Sequence, residues 1–462
     1  MGFFEKYSEA VKKLNPIKAT GEIKEVKGML VESFGPQAVV GELCQILIPK
    51  IGLSGSTHQV AWAEVVGLRD RIVQLMPYDE TEGIEVGCPV IATGEFLSIP
   101  VSEKLLGRVL DAMGKPIDGR GDIGSAEWYS IFNKPPDVLK RQRISKKIAT
   151  GIRAVDGLIT VGKGQRMGIF SGSGIGKSTL LGMIARNTAA DVNVIALIGE
   201  RGREVREFIE QDLGEEGLKR SVLVVASSNK PPLTRIRGAY VATTIAEYFR
   251  DQGLDVTLMF DSVTRFARAQ REIGLSIGEP PATRGFTPSV FSLLPKLLER
   301  SGTSDKGTIT GFYTVLVEGD DLDEPVSDAV RGILDGHIVL SRVLSERSHY
   351  PAIDILQSIS RLAVQVTGPH VHEAVGVIRR LQAVYKEAED LINVGAYAKG
   401  SNPDIDEAID KIEEINQFLR QGIAEKTTLA ETYNRMSKVS GVNIPEGELA
   451  DEAISVQAKE TA

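Results

Sequence analysis

"FSGSGIGKSTLL", residues 170–181, is the stretch whose reading decides the fold. An apolar run, "RMGIF", leads into it and "LLGMIARNTA" follows, so the loop has a strand in front and a helix behind. Gly172, Gly174 and Gly176 let the backbone turn tightly and aim successive N–H groups at an anion, to which the helix start adds its positive end. In that setting Ser173, Gly174, Ile175, Gly176, Lys177, Ser178 and Thr179 form a phosphate cradle. Lys177 faces the β- and γ-phosphates and the Ser178 hydroxyl faces Mg²⁺. The strict pattern asks for glycine where Ser171 stands, and serine is nearly as small.

Further apolar strands, "VNVIALIGE", "SVLVVASS" and "DVTLMFDS", alternate with helix-compatible stretches, which predicts an α/β, doubly wound, mostly parallel sheet around the phosphate loop. In such a sheet the ligand lies beyond the carboxyl ends of the strands, so the residues there carry the chemistry. Asp261 ends "LMFDS" and is placed to hold Mg²⁺. Glu200 ends "ALIGE" and is the candidate general base for water attack, with Glu204 one helical turn on as a further metal candidate.

Before this core, close-spaced short strands from "GEIKEVKGMLVESFGPQAVVGELCQILIP" to "CPVIATG" predict a small β-barrel over residues 21–97. The phosphate-binding domain is set at 98–366, a helical domain at 367–440 and a flexible tail at 441–462. Residues 1–20 form an amphipathic segment: Phe4, Tyr7, Val11 and Leu14 share a helical face, with Lys6, Lys12 and Lys13 beside it. Net charge is −8, so a global basic field for nucleic acid is absent, and residues 21–100 hold no basic and aromatic cluster for stacking single strands. Cys44 and Cys88 lie far apart with no CxxC, which suits a reducing compartment and small core roles. No membrane-length apolar run occurs. "HVHE", residues 370–373, has poor spacing for a metal.

"LGRVLDAMGKPIDG", "GERGREV" and "PAIDILQSIS" resemble the catalytic-subunit superfamily of rotary ATPases. Within it, "PPATRGFTPSVFSLLPKLLERSG", "EGDDLDEPVSDAVRGILDGHIVLSR" and "VGAYAKGSNPDIDEAI" resemble the ATPases that power type III protein export, the last stretch favouring the flagellar over the virulence-injectisome branch. The resemblance implies a homohexameric ring of three-domain subunits that binds ATP and Mg²⁺ between neighbours and hydrolyses ATP while delivering unfolded substrates. Its implied partners are a regulator, a stalk protein, chaperones and a membrane export gate, with the ring in the cytoplasm against the inner membrane.

Carried over by matching residues, the resemblance gives Lys177 and Ser178 the phosphate and magnesium contacts, Glu200 the catalytic glutamate, and Asp261 the Walker B carboxylate. It puts Arg201 and Arg265 around the phosphates, Tyr350 of "HYPAID" against adenine, and Arg361 of "SISR" as an arginine finger into the neighbour's site. Ile423 stands where ATP synthase catalytic subunits carry a second aromatic against adenine. An ATP synthase catalytic subunit is the remaining alternative beside the injectisome ATPase. Such a subunit takes its finger from partner subunits and usually carries a "DELSEED"-type stretch, which this chain lacks.

Overall fold

The computed structural model describes residues 19–52, 55–80 and 82–449; the amphipathic segment expected around Phe4, Tyr7, Val11 and Leu14 lies outside them. Six antiparallel strands, β1 (Thr20–Lys27), β2 (Leu30–Phe34), β3 (Glu42–Gly52), β4 (Gly55–Arg69), β5 (Ile72–Pro77) and β6 (Pro89–Phe96), close into a barrel of order β1-β2-β5-β4-β3-β6. Closure leaves no unpaired edge. Alternate residues of β3, Cys44, Ile46 and Ile48, point into its core with Val31, Val65 and Leu75. Both cysteines are buried and free, and burial pushes the Cys44 thiol up to about 12.

After β7 (Ser98–Val101), which pairs only with β9 (Glu127–Ser130), the chain builds its main sheet. The strands are β8 (Val109–Asp111), β10 (Arg166–Ser171), β11 (Val192–Ile198), β12 (Ser221–Ala226), β13 (Asp255–Asp261), β14 (Gly302–Thr303), β15 (Thr308–Leu316), β16 (Gly336–Leu340) and β17 (Ile353–Ser360). Their order is β17-β16-β10-β15-β13-β11-β12-β8, with β14 paired to β15. The strands from β16 to β8 along this path are parallel, and β17 runs antiparallel on the edge. The sheet is doubly wound and mostly parallel as expected. Every residue of β11 is buried, the mark of a strand covered on both faces. Helices α1 (Lys177–Asn187), α2 (Pro232–Asp251) and α3 (Val263–Ser276) follow β10, β12 and β13.

The helical domain consists of α4 (Pro369–Asn393), α5 (Pro403–Leu419) and α6 (Leu429–Ser440). Buried positions recur three, four or seven apart: Val371, Ala374, Ile378 and Leu381 in α4, and Ala408, Ile415, Phe418 and Leu419 in α5. Asn402 caps α5, and a Thr428–Glu431 capping box starts α6. The expected flexible tail needs correcting at its start. Glu448 is buried, and its carboxylate accepts from the first N–H groups of α4, those of His370 and Val371, and pairs with His370 Nδ1 at 2.6 Å. Lys147 Nζ donates to the Glu448 carbonyl at 2.9 Å. The orphan donors of a helix start account for this order: a carboxylate is the group that satisfies them. His372 instead faces the Thr367 hydroxyl, and among the described residues no cluster of three His, Cys, Asp or Glu could hold a metal.

Two buried ion pairs tie the layers together. Arg237 of α2 donates to Glu64 of the barrel, whose carboxylate also accepts from Tyr78 at 2.6 Å. Arg300 donates through Nε and Nη2 to Glu247 at 2.8 and 2.6 Å and through Nη1 to the Ile131 carbonyl at 2.7 Å, while Asn133 completes the carboxylate at 2.9 Å. Each of the Arg300 and Glu247 side chains is nearly sealed from solvent. Removing one member strands a buried charge, at a cost of about 3–5 kcal/mol. Glu247→Ala should therefore lower the urea midpoint strongly, and Glu247→Leu combined with Arg300→Met should recover most of the loss. An unchanged midpoint in Glu247→Ala would refute this account of the junction.

Candidate active site

The phosphate loop leaves the buried end of β10 at Ser171 and enters α1 at Lys177. Gly174 and Gly176 have φ of 79° and 95°, left-handed values that only glycine takes without strain, so the turn depends on them. Ser173, Gly174 and Ser178 are exposed on the loop, whereas Ile175 anchors it in the core. The Thr179 hydroxyl is engaged by Asp212.

Because the strands are parallel, their carboxyl ends gather three charged groups beside this loop. Lys177 Nζ lies 2.5 Å from Asp261 Oδ1 at the end of β13 and 3.8 Å from Glu200 Oε1 just after β11. Thr314 of β15 donates its hydroxyl to the same Asp261 oxygen at 2.7 Å, fixing the carboxylate. Nothing in "TITGFYTVL" beyond a β-branched residue at the right parity signalled that role. Arg265, in the first turn of α3, brings Nε to 3.0 Å of Glu200 Oε1 and donates Nη2 to Oε2 at 3.1 Å. Gly199, with φ of 73°, makes room for it: a Cβ there would sit 2.9 Å from the Arg265 Cδ. The Glu200 carboxyl is raised to about 7, first by burial and then by the Asp261 carboxylate, with Lys177 and Arg265 pulling the other way.

The remaining candidates fall into two groups. Arg201 projects into solvent and pairs with Glu204 at 3.5 Å. Glu204 also faces Glu200 and helps to hold its proton on. Neither Arg201 nor Glu204 contacts Asp261 or Lys177 by any ion pair of the described residues. Tyr350 and Arg361 bracket β17. Ile353, at its start, is in register with Leu340 at the end of β16, which is in register with Ser171. Tyr350 therefore opens on the phosphate-loop rim, half-exposed, with its hydroxyl 2.9 Å from Ser345 Oγ. Ser360, at the other end, is opposite Gly336 at the start of β16. Arg361 thus belongs to the far rim, four β16 residues or roughly 13 Å along the strands at about 3.3 Å per residue. There its Nη2 donates to the Arg331 carbonyl at 3.4 Å and its backbone N–H to Asp335 at 3.0 Å.

A strand of oxygen ligands suits a hard cation. Asp261 and Ser178 offer a carboxylate and a hydroxyl beside the cradle, the partial set that Mg²⁺ uses when phosphate oxygens and waters complete its octahedron. Ile423 is exposed on the turn after α5.

The sequence patterns of known families match this architecture piece by piece. The ATP synthase alpha/beta family matches with its beta-barrel domain over residues 23–94 and its nucleotide-binding domain over residues 151–360, and the T3SS EscN ATPase C-terminal domain matches residues 367–438. The flagellum-specific ATP synthase of Treponema pallidum is 57% identical over 439 residues, covering 95% of this chain and 97% of that protein. That of Bacillus subtilis is 51% identical over 433 residues, covering 94% and 98%. A solved structure of the assembled ATPase EscN of enteropathogenic E. coli in complex with its central stalk EscO superposes with a TM-score of 0.82 at 44% identity, covering 91% of this chain and all of that one. With barrel, phosphate-loop sheet and helical domain all matched in this order, the chain belongs to the ATP synthase alpha/beta family, as an ATPase of its type III export branch.

Proposed function

We propose that this ATPase hydrolyses MgATP at sites shared between copies of itself, in a ring of six, and so energises export of unfolded flagellar proteins. The observation that carries this reading is the direction of β17, which sets Tyr350 on the phosphate-loop rim and Arg361 on the opposite one. An arginine facing away from its own cradle can serve only a neighbour's, and head-to-tail contacts of that kind close into rings. The two flagellum-specific relatives exceed EscN in identity, which supports the flagellar branch over the injectisome one. The EscN–EscO complex supports a stalk partner. A regulator, export substrates with their chaperones, and a peripheral position at the inner-membrane export gate complete the proposal. No helix among the described residues is long and apolar enough to cross a membrane.

Within the site, the loop N–H groups and Lys177 hold the β- and γ-phosphates, an arrangement in which a phosphate oxygen competes with Asp261 for the ammonium. Ser178 and Asp261 would hold Mg²⁺, which would supply positive charge against the phosphate oxygens, and Glu204 would join them only by leaving Arg201. Glu200 orients a water toward the γ-phosphorus and accepts its proton, with Arg265 gripping both carboxylate oxygens to fix their direction. Arg361 of the adjacent copy stabilises the charge of the transition state, an effect worth roughly 10³–10⁵ in rate in GTPases. Tyr350 stacks on adenine. Arg201, exposed and paired with Glu204, would reach a phosphate or a neighbour by giving up that pair.

Glu200 works only when deprotonated, so kcat/KM should climb as pH rises through about 7 and fall nearly tenfold per unit below it. Glu200→Gln should retain ATP binding, lose about 10²–10⁴ in kcat, and show no such step in its residual rate. Near-parental turnover in that variant would remove Glu200 from the base role. Lys177→Ala should weaken binding of a fluorescent ATP analogue. Arg361→Ala should be inactive alone with its own cradle intact, so mixing it with inactive Lys177→Ala should restore ATPase activity at interfaces pairing an intact loop with an intact finger. Silence in a mixture whose subunit exchange is proven by pull-down would mean that Arg361 does not act across an interface.

A further inference from the structure

Arg153 stands where an arginine is expensive. It is the first residue of the helix Arg153–Leu158, whose positive end disfavours a cation, and it is buried. The compensation comes from one place, the turn that follows α5. Arg153 Nε donates to the Phe418 carbonyl at 2.8 Å, Nη2 to the Arg420 carbonyl, and Nη1 to Glu425 Oε1. The two carbonyls are orphans of the α5 terminus, so the guanidinium caps a helix from another domain at its negative end. Facing Arg153, the Glu425 carboxyl is held below its ordinary range despite partial burial.

The same turn is held at three further points. Gln421 donates its backbone N–H to the Tyr350 carbonyl at 2.9 Å. Its side-chain oxygen accepts from the Arg153 backbone N–H at 2.9 Å, and its amide nitrogen donates to the Gly151 and Glu425 carbonyls at 2.7 and 3.0 Å. Arg186, in the last turn of α1, donates to the Ile423 carbonyl at 2.8 Å. Gln421 thus ties the backbone of Tyr350 to the turn that carries Ile423, and both of those side chains are half-exposed.

We infer that Arg153 is a positioning residue for the base end of the nucleotide site: it locks residues 420–425 against the phosphate-binding domain and so fixes the gap between Ile423 and Tyr350. The inference rests on the reading of Tyr350 as the adenine contact. A lysine cannot replace the fork, because one ammonium cannot meet two carbonyls and a carboxylate in the geometry of a guanidinium.

The test measures kcat and KM for ATP and GTP in Arg153→Lys, Glu425→Gln and Tyr350→Ala. Arg153→Lys should raise the KM for ATP about tenfold with kcat little changed and narrow the preference for ATP over GTP, and Glu425→Gln should shift both in the same direction by less. A purely structural role for Arg153 would lower the thermal midpoint and leave KM and base preference of the folded enzyme as they were; that result overturns the inference. Should Arg153→Lys not fold, Glu425→Gln, whose side chain is partly exposed, decides in the same way. If Tyr350→Ala itself leaves the KM for ATP and the base preference unchanged, the adenine reading falls and the inference with it. If Tyr350→Ala shifts them while the other two do not, the inference alone is overturned.

Discussion

Parallel strands cannot be joined by a tight turn; each must cross over and start again from the same side. Much of the phosphate site follows from that constraint. β10, β11 and β13 deliver Ser171, Glu200 and Asp261 to one rim because each strand was forced to begin at the other. Crowding is the result: two carboxylates and an ammonium meet in a place largely closed to water. Burial first, and then the Asp261 carboxylate that Lys177 meets at 2.5 Å, lift the proton affinity of Glu200 into the neutral range. A residue that would be an ordinary surface acid after an isolated strand becomes a group able to take a proton near pH 7.

How much of this could be read from the chain alone depended on sequence distance. The phosphate loop, Glu200 and Asp261 were legible because each sits at the end of an apolar run that reads as a strand, and strand ends share a rim. β15, β16 and β17 were not anticipated as strands: "TITGFYTVL" is buried almost as continuously as "VNVIALI", but its three threonines and a glycine interrupt the apolar run. Without β17 and its direction, nothing local distinguishes an arginine facing its own cradle from one facing away. Arg153 was silent for a stronger reason: its acceptors lie some 265 to 272 residues downstream, and no spacing rule reaches that far. The order at Glu448 was missed because an acidic, polar end of chain reads as solvated unless the helix start it caps is known.

Among the contacts that join the three domains, two polar ones are of high consequence. Glu64 with Arg237 and Tyr78 fastens the barrel to α2, and Arg153 with Gln421 fastens the helical domain to the rim beside Tyr350. The second of these ties the turn after α5 to the backbone of Tyr350, so displacement of the helical domain would be felt on the phosphate-loop rim even though α4, α5 and α6 contribute nothing to the phosphate cradle.

β17 is also a spacer of fixed length. Between Ile353 and Ser360 it takes seven steps against four of β16, the surplus being bulged out after Asp354, and its paired ends hold Arg361 at its distance from Tyr350. Deleting a residue from either paired end would slip its register with β16 and turn the following side chains to the other face. Because Tyr350 is tied at one end and Arg361 at the other, no shift of the strand relieves both ends at once. Substitutions along its exposed positions, such as Gln357 and Ile359, are therefore cheap compared with a change in the length of either paired end. Among variants of this chain that still turn over ATP, a change in residue count should fall in the bulge between the paired ends, and the ends themselves should vary in composition alone.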